Sequence, residues 1–322
     1  MQRSLIILFF FPLLLHAQTE TKSFPVDTTF TVWSAWQKIK NDFPAAVPVK
    51  PFEDSKIAGL WNREYYALGN RKLHADLFFP KQNTGKGFPA VILIHGGGWA
   101  SGNKSHLVPL AQKLASKGFF AATAEYRLSP EAKYPAAITD LKTLVKWLKA
   151  NARTFHIDTT KIAVLGCSSG ATLATFLGTT NNHPLFRSHP FPGKITDRVH
   201  AVINIDGIVD FTDPAESGKD SDPQKPSAGA RWFGFTSFQN PEIWIEASPV
   251  SYVNEYTPPT LFINSSIPRF HAGRDAFTKV LSKNQICSEI HTIENTPHPF
   301  WLFYPWFDEV QHVVNEFLNK VL

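Results

Sequence analysis

The sequence has 322 residues, of which 43% are hydrophobic and 18% are charged. This composition supplies enough apolar surface for a packed core, so it excludes an intrinsically disordered chain. The net charge is only +5, and the basic residues are scattered along the chain, which argues against a nucleic-acid-binding protein. Two cysteines, Cys167 and Cys287, are too few for a disulfide framework and are expected to be buried free thiols. Neither CxxC nor HExxH occurs, so no metal site or other cofactor is predicted.

The chain begins with a pattern typical of exported proteins. Arg3 precedes an apolar run over residues 5–15, and Ala17 places a small residue at the cleavage position. This pattern predicts a signal peptide over residues 1–17 and an exported protein, either secreted or periplasmic. The run is too short to cross a bilayer, and no later segment is long and apolar enough, so no membrane span is predicted.

Short apolar runs then alternate with amphipathic segments. The predicted strands are residues 75–79, 90–95, 119–126, 161–165, 201–205, 260–263 and 289–293, and the predicted helices are 32–39, 107–117, 136–151, 171–177, 272–282 and 306–322. A strand that is apolar throughout is typical of a parallel sheet covered on both faces. The alternation therefore predicts an α/β fold with a mostly parallel sheet and helices on both faces.

The domain organisation follows from this alternation. Residues 18–60 have a mixed pattern and are expected to form an N-terminal extension that packs on the core. Residues 61–322 are expected to form one α/β domain. Within it, residues 181–200 and 212–258 are rich in Pro, Gly and aromatic residues, and we interpret them as inserts over one end of the sheet, where ligand sites form.

The strongest indication of chemistry is the segment GCSSG at residues 166–170. It fits the pattern G-x-S-x-G with Ser168 at its centre, between a predicted strand and a small-residue helix. In such a strand–turn–helix elbow, flanking glycines avoid steric clashes and the turn lifts the serine hydroxyl above the sheet. Ser168 is therefore the candidate nucleophile.

A second glycine-rich segment, HGGGW at residues 95–99, directly follows a predicted strand. Consecutive glycines let bare backbone approach a ligand closely, so that N–H groups can point at an oxygen that becomes negative. The candidate oxyanion-hole donors are the backbone N–H groups of Gly97, Gly98 and Ser169.

With these motifs the chain resembles the α/β-hydrolase superfamily, and more narrowly the HGGG esterases related to the hormone-sensitive-lipase-like and feruloyl-esterase-like (BD-FAE) carbohydrate esterases. The resemblance covers about residues 64–320. It implies a three-layer α/β-hydrolase fold with loop or cap inserts, and a structural role for Tyr126, Arg127 and Asp140. It also places the catalytic histidine in the loop after the last strand, which assigns this role to His298.

The acidic member of the triad departs from the family pattern. In the family the acid usually follows the strand at residues 260–263, but the turn NSSIP at residues 264–268 holds no carboxylate. Asp206 is the favoured acid because it ends the preceding strand, where its position is rigid. Asp275 is the alternative, although a carboxylate at a helix start is also commonly stabilised by the helix dipole. Asp210 more often closes a local turn, and it is also open whether any acid orients the histidine.

Aromatic residues surround the predicted site, and Trp99, Phe300 and Trp301 are the candidate substrate-binding residues. The resemblance, together with export and slight basicity, implies a serine esterase that removes acetyl or aromatic acyl groups from plant polysaccharides or their oligosaccharides. Two alternatives stay open: a secreted serine peptidase of the same fold, and a non-catalytic binding protein with a broken triad. The expected partner is a small-molecule or polysaccharide ester, without nucleic acid, and the oligomeric state is left open.

Overall fold

The computed structural model describes residues 27–82, 85, 87–217 and 224–322, so the predicted signal peptide at residues 1–17 lies outside the described residues. The described chain begins with helix α1 (Val32–Ile39), as the sequence predicts. Thr31 and Ser34 form a capping box: the Ser34 N–H donates to Thr31 Oγ1 at 3.0 Å, and the Thr31 N–H donates to Ser34 Oγ at 2.9 Å. These bonds satisfy N–H groups that have no partner inside the helix and fix where it starts.

The described residues then form ten strands, eight of which belong to one sheet. Their bounds are β1 (Val47–Pro48), β2 (Ile57–Leu68), β3 (Arg71–Pro80), β4 (Phe88–Ile94), β5 (Phe120–Ala124), β6 (Ile157–Cys167), β7 (Ala201–Ile205), β8 (Thr260–Ser265), β9 (Ser288–Ile293) and β10 (Phe303–Tyr304). The order in the large sheet is β2-β3-β5-β4-β6-β7-β8-β9, and β1 pairs with β10 in a separate ribbon. Strand β3 pairs antiparallel with β2 and β5, whereas β5, β4, β6, β7, β8 and β9 are all parallel. The predicted mostly parallel sheet is confirmed.

Helices cover both faces of this sheet. The remaining ones are α2 (Val108–Ser116), α3 (Ala136–Ala150), α4 (Ala152–Phe155), α5 (Ser169–Thr179), α6 (Pro214–Ser217), α7 (Ala228–Phe233), α8 (Pro241–Glu246), α9 (Arg274–Lys283) and α10 (Trp306–Val321). Strand β4 shows the layering, because Ile92 packs in one apolar cluster with α3 and α5 while Val91 packs in another with α1, α2 and α10. Successive side chains of a strand point to opposite faces, so a strand between two helical layers is apolar at every position. The three-layer arrangement expected from the sequence is therefore present.

The structure differs from the sequence expectations at strand β2 and at Cys287. Strand β2 has no counterpart among the predicted elements, because most of its side chains are at least partly exposed and leave no apolar run. The predicted boundary between residues 60 and 61 falls inside this strand. The insert at residues 212–258 contains helices α6, α7 and α8, whereas residues 181–200 contain no helix or strand. Cys167 is buried as expected, but Cys287 is partly exposed, and both are free thiols.

Tyr126, Arg127 and Asp140 hold the sheet against the first helices. The Tyr126 hydroxyl donates to the His95 carbonyl at 2.8 Å, and Arg127 forms an ion pair with the fully buried Asp140 at 2.7 Å. Burial alone raises the pKa of the Asp140 carboxyl, but hydrogen bonds from His189 and Arg127 outweigh it and hold this pKa below its usual value. These contacts fit the structural role that the resemblance implies.

No helix in the described part of the chain has the length and apolar character needed to cross a membrane.

Candidate active site

The segment GCSSG forms a sharp turn between β6 and α5, with Ser168 at its tip. Ser168 has φ +54° and ψ −126°, a backbone conformation that side chains rarely adopt. The turn lies tightly against β4, because a Cβ atom at Gly170 would be 2.2 Å from the Ile94 carbonyl oxygen. Only glycine fits there, which is the local reason for the glycine after the two serines. The Ser168 N–H donates to the Ile205 carbonyl at 2.8 Å and thereby ties the turn to the end of β7.

Three residues far apart in sequence meet at this turn. His298, in the loop between β9 and the 3₁₀ helix Phe300–Leu302, has its Nε2 atom 2.8 Å from Ser168 Oγ. Its Nδ1 atom lies 2.9 Å from Asp206 Oδ2. With the proton on Nδ1, the imidazole donates to the carboxylate and accepts from the serine hydroxyl, which is the arrangement that a Ser-His-Asp triad requires.

Asp275 does not reach this group. It lies on α9 with 80% of its side chain exposed, and it pairs with Arg274 at 2.8 Å. The alternative acid of the sequence analysis is therefore wrong, because a solvated helix-start carboxylate paired with its neighbour cannot contact the histidine. Asp210 accepts hydrogen bonds from the N–H and hydroxyl of Thr212, so it closes a local turn as expected.

Asp206 is held by a residue that the sequence analysis did not identify. Ser265 donates its N–H to Asp206 Oδ1 and its hydroxyl to Asp206 Oδ2, both at 2.7 Å. Asp206 is fully buried and has φ +53°, so its backbone is also in a rarely adopted conformation. Ser265 ends β8, where the family pattern places the acid. The only signal in the sequence was that polar residues follow an apolar strand at this position.

His298 lies between two aromatic rings. Phe270 stacks on the imidazole with ring centroids 3.6 Å apart, and Trp301 meets it edge-on at 5.2 Å. Burial lowers the pKa of His298 below its usual value of 6.5, the hydrogen bond and charge of Asp206 oppose this shift, and the positive charge of Arg269 adds to it. Because the net shift is downward, the imidazole is the neutral base at neutral pH.

The HGGGW loop follows β4 and contributes Gly98 and Trp99 to the wall of the site. Gly97 has φ +131°, and a Cβ atom there would lie 2.1 Å from the Ser101 carbonyl oxygen, so the loop needs glycine at this position. Gly98 and Ser169 lie on the wall of the cavity next to Ser168. Their N–H groups donate to no acceptor within the described residues, which leaves them available to a ligand oxygen. Gly97 is not on the cavity wall.

A cavity of about 210 Å³ opens at Ser168. Trp99 lines it and stacks on Trp232 with ring centroids 4.6 Å apart, so this predicted substrate-binding residue does face the site. Phe300 and Trp301 do not line the cavity, because both are buried in the apolar cluster that includes α10. The expectation that these two residues bind substrate is wrong.

Among the described residues, no group of three His, Cys, Asp or Glu side chains could hold a metal ion.

Comparison with known proteins places this geometry in a family. The BD-FAE family model matches residues 75–268. Esterase LipC of Mycobacterium tuberculosis is 32% identical over 232 residues, which are 67% of this chain and 55% of that protein. The probable carboxylic ester hydrolase LipM of the same organism is 26% identical over 65% of this chain and 46% of that protein. The chain thus spans about half the length of the curated relatives it matches, and these relatives are named for the enzyme class that the sequence predicts.

Solved structures show the same fold. A truncated carbohydrate esterase from gut microbiota superimposes with a TM-score of 0.68 at 21% identity, over 84% of this chain and 99% of that one. Esterase 2 of Thermogutta terrifontis, in its propionate-bound structure, superimposes with a TM-score of 0.66 at 20% identity, over 81% and 93% of the two chains. At such identities the likeness is one of fold. The chain therefore belongs to the BD-FAE family and has the α/β-hydrolase fold.

Proposed function

We propose that the protein is a serine hydrolase that cleaves carboxylic esters through an acyl-enzyme, and that it removes acyl groups from plant polysaccharides or their oligosaccharides. The observation that carries this proposal is the chain of hydrogen-bond distances from Ser168 to His298 to Asp206, 2.8 and 2.9 Å. A serine hydroxyl is a poor nucleophile near neutral pH unless an adjacent base takes its proton. The relatives named as esterases and as a carbohydrate esterase support the same reaction class.

The reaction follows from the positions of these atoms. Ser168 Oγ attacks the ester carbonyl while its proton passes to His298 Nε2, and Asp206 stabilises the resulting imidazolium through Nδ1. The N–H groups of Gly98 and Ser169 donate to the oxygen that becomes negative, and Gly97 shapes the loop that positions Gly98. The imidazolium returns the proton to the leaving alcohol. A water molecule then attacks the acyl-enzyme with the same base and releases the acid.

The cavity favours a small acyl group. Its volume of about 210 Å³ is below the 300–1,000 Å³ typical of pockets for larger ligands. Thr172, Ile208 and Ala228 line it together with Trp99, so the wall is mostly apolar and close to Ser168. We therefore propose a small acyl group, such as acetyl, rather than an aromatic acid. Export, for which the N-terminal pattern is the only support, is part of the same proposal.

No observation favours the alternative functions. The broken-triad alternative was motivated by the absence of a carboxylate at residues 264–268, and Asp206 supplies one from the neighbouring strand. The peptidase alternative predicts cleavage of amides, which a substrate panel distinguishes from cleavage of esters.

The experiment compares hydrolysis of p-nitrophenyl acetate, acetylated xylan oligosaccharides and chromogenic dipeptides by the wild-type protein and by Ser168→Ala. We expect ester hydrolysis in the wild type and a loss of at least about 10³-fold in kcat in the variant. Ser116→Ala is the matched control, since Ser116 is exposed at the end of α2. Near wild-type activity in Ser168→Ala would refute the assignment of Ser168 as the nucleophile. A preference for dipeptides would refute the assignment of the protein as an ester hydrolase.

A further inference from the structure

Arg269 brings a positive charge to the wall of the candidate active site. It lies in the 3₁₀ helix Pro268–His271, directly after β8, and it lines the same cavity as Ser168 and His298. Its side chain is 32% exposed, so part of it is open to a bound molecule. The reaction proposed above assigns no step to this residue.

The guanidinium is held in one orientation by a buried carboxylate. Glu216 on α6 is fully buried, and it accepts hydrogen bonds from Arg269 Nε at 2.6 Å and from Arg269 Nη2 at 3.1 Å. Arg269 Cζ also lies 5.4 Å from the centre of the Phe270 ring, which in turn stacks on His298. The position of the guanidinium relative to the proposed base is thereby fixed.

This pairing leaves donors for a ligand. A guanidinium has five N–H groups in a planar fork, and Glu216 engages two of them. Within the described residues, Arg269 Nη1 donates to no protein acceptor. Its free edge has the geometry that binds carboxylates, often with two parallel hydrogen bonds. An oriented guanidinium with free N–H groups is therefore available at the cavity.

The carboxylate on the cavity wall does not occupy the free N–H groups of Arg269. Among the described residues that line the cavity, Asp206 carries the only carboxylate, and its two oxygens accept hydrogen bonds from Ser265 and His298. The remaining lining residues are apolar, hydroxyl-bearing or glycine, apart from the histidine itself. An anionic group on a substrate would thus meet one oriented cation and no other available charged donor.

We infer that Arg269 forms a carboxylate-binding subsite beside Ser168, so that the preferred esters carry a carboxylate near the ester bond. This inference rests on the proposed esterase function and narrows its substrate class. The carboxylate belongs either to the acyl part, as in a half-ester of a dicarboxylic acid, or to the alcohol part, as in an acylated uronic acid.

The test compares matched esters that differ in this one charge. For the acyl side, monoethyl succinate is compared with ethyl 4-oxopentanoate. For the alcohol side, methyl 3-O-acetylgalactopyranosiduronate is compared with methyl 3-O-acetylgalactopyranoside. We expect kcat/KM to be about tenfold higher for the anionic member of at least one pair, a size set by charge-assisted hydrogen bonds, and to approach its neutral partner in high salt. The pair that responds identifies which side carries the carboxylate.

Variants link this preference to the guanidinium. Arg269→Gln should bring the anionic-to-neutral ratio close to one. Glu216→Gln should raise the ratio, because it removes the negative charge that partly offsets Arg269 and leaves the cation in place. If the ion pair of Arg269 with Glu216 were purely structural, the two substitutions would not shift the anionic-to-neutral ratio in opposite directions. Arg63→Gln is the control, since it removes the same charge from the exposed face of β2 and should leave both activity and ratio unchanged.

The outcomes separate this inference from the proposed function. If the neutral esters are hydrolysed without an anionic preference, or if the preference survives in Arg269→Gln, the subsite is refuted while the esterase function stands. If none of the four esters is cleaved and p-nitrophenyl acetate is not cleaved either, the esterase function fails. Calorimetric binding of methyl galactopyranosiduronate and of monomethyl succinate to the Ser168→Ala protein then still tests the subsite, because it needs no hydrolysis. If neither ligand binds, or if Arg269→Gln binds as tightly, the subsite is refuted.

Discussion

Replacement of Asp206 by asparagine is the sharpest test of the proposed triad. In the structure, Asp206 Oδ2 accepts hydrogen bonds from His298 Nδ1 at 2.9 Å and from the Ser265 hydroxyl at 2.7 Å, while Oδ1 accepts the Ser265 N–H at 2.7 Å. An asparagine keeps its oxygen on the fixed Ser265 N–H, so its amide nitrogen faces the histidine and donates to it. The imidazole must then carry its own proton on Nε2, facing Ser168.

The size of the effect follows from this change of tautomer. With a proton on Nε2, His298 cannot accept the proton of Ser168 Oγ at the 2.8 Å distance that the structure shows. Loss of the correct tautomer lowers kcat by about 10⁴ in serine hydrolases with this arrangement. At about 1.4 kcal/mol for each factor of ten, this is about 5 kcal/mol of transition-state stabilisation. The side chain keeps its volume, so the fold should be retained.

The assay measures kcat for p-nitrophenyl acetate in the wild type, Asp206→Asn and Asp275→Asn, with circular dichroism to establish folding. Asp275 is exposed and paired with Arg274, so its variant should stay within about twofold of the wild type. The reasoning is refuted if folded Asp206→Asn keeps more than about a tenth of the wild-type kcat, or if Asp275→Asn loses as much.

Three further predictions follow from the same contacts. Ser265→Ala removes one of the two hydrogen bonds that Ser265 donates to Asp206 and should lower kcat about tenfold; an unchanged kcat would show that the backbone N–H suffices. The pKa of His298 is lowered, so the base stays neutral below pH 6.5 and the acid limb of the kcat/KM profile should lie below that value; a limb above pH 6.5 would contradict the assignment. Gly170→Ala forces a Cβ atom to 2.2 Å from the Ile94 carbonyl oxygen and should lower the melting temperature or prevent folding, whereas an unchanged melting temperature would refute the packing of this turn.

Most strands of the sheet can be identified from the sequence because burial on both faces leaves a continuous apolar run within each strand. Strand β4 is buried on both faces and reads as one apolar run, so it is recognisable without knowledge of its neighbours. The turn at Ser168 is recognisable for the same reason, since glycine is required where a Cβ atom would clash with nearby backbone. Strand β2 gives no such signal, because it is an edge strand whose side chains are mostly at least partly exposed, and it is specified by its pairing with β3.

The remaining parts of the site depend on contacts between distant segments. Asp206 and Ser265 are 59 residues apart in sequence, and only the parallel pairing of β7 with β8 brings their side chains together. Aromatic character alone likewise does not show whether a ring faces the cavity or packs in the core. Trp99 lines the cavity, whereas Phe300 packs in the core behind it. The salt bridge of Arg269 with Glu216 joins an insert to the turn after β8, which no local pattern predicts.

The proposed acid directly follows β7, and a serine at the end of β8 donates hydrogen bonds to it, which bears on how such proteins are recognised. The imidazole needs a negative oxygen at one point in space, and two neighbouring strand ends reach that point. A survey that inspects one alignment column for an aspartate would discard this chain as inert. A survey that asks which side chains converge on the ring nitrogen would keep it.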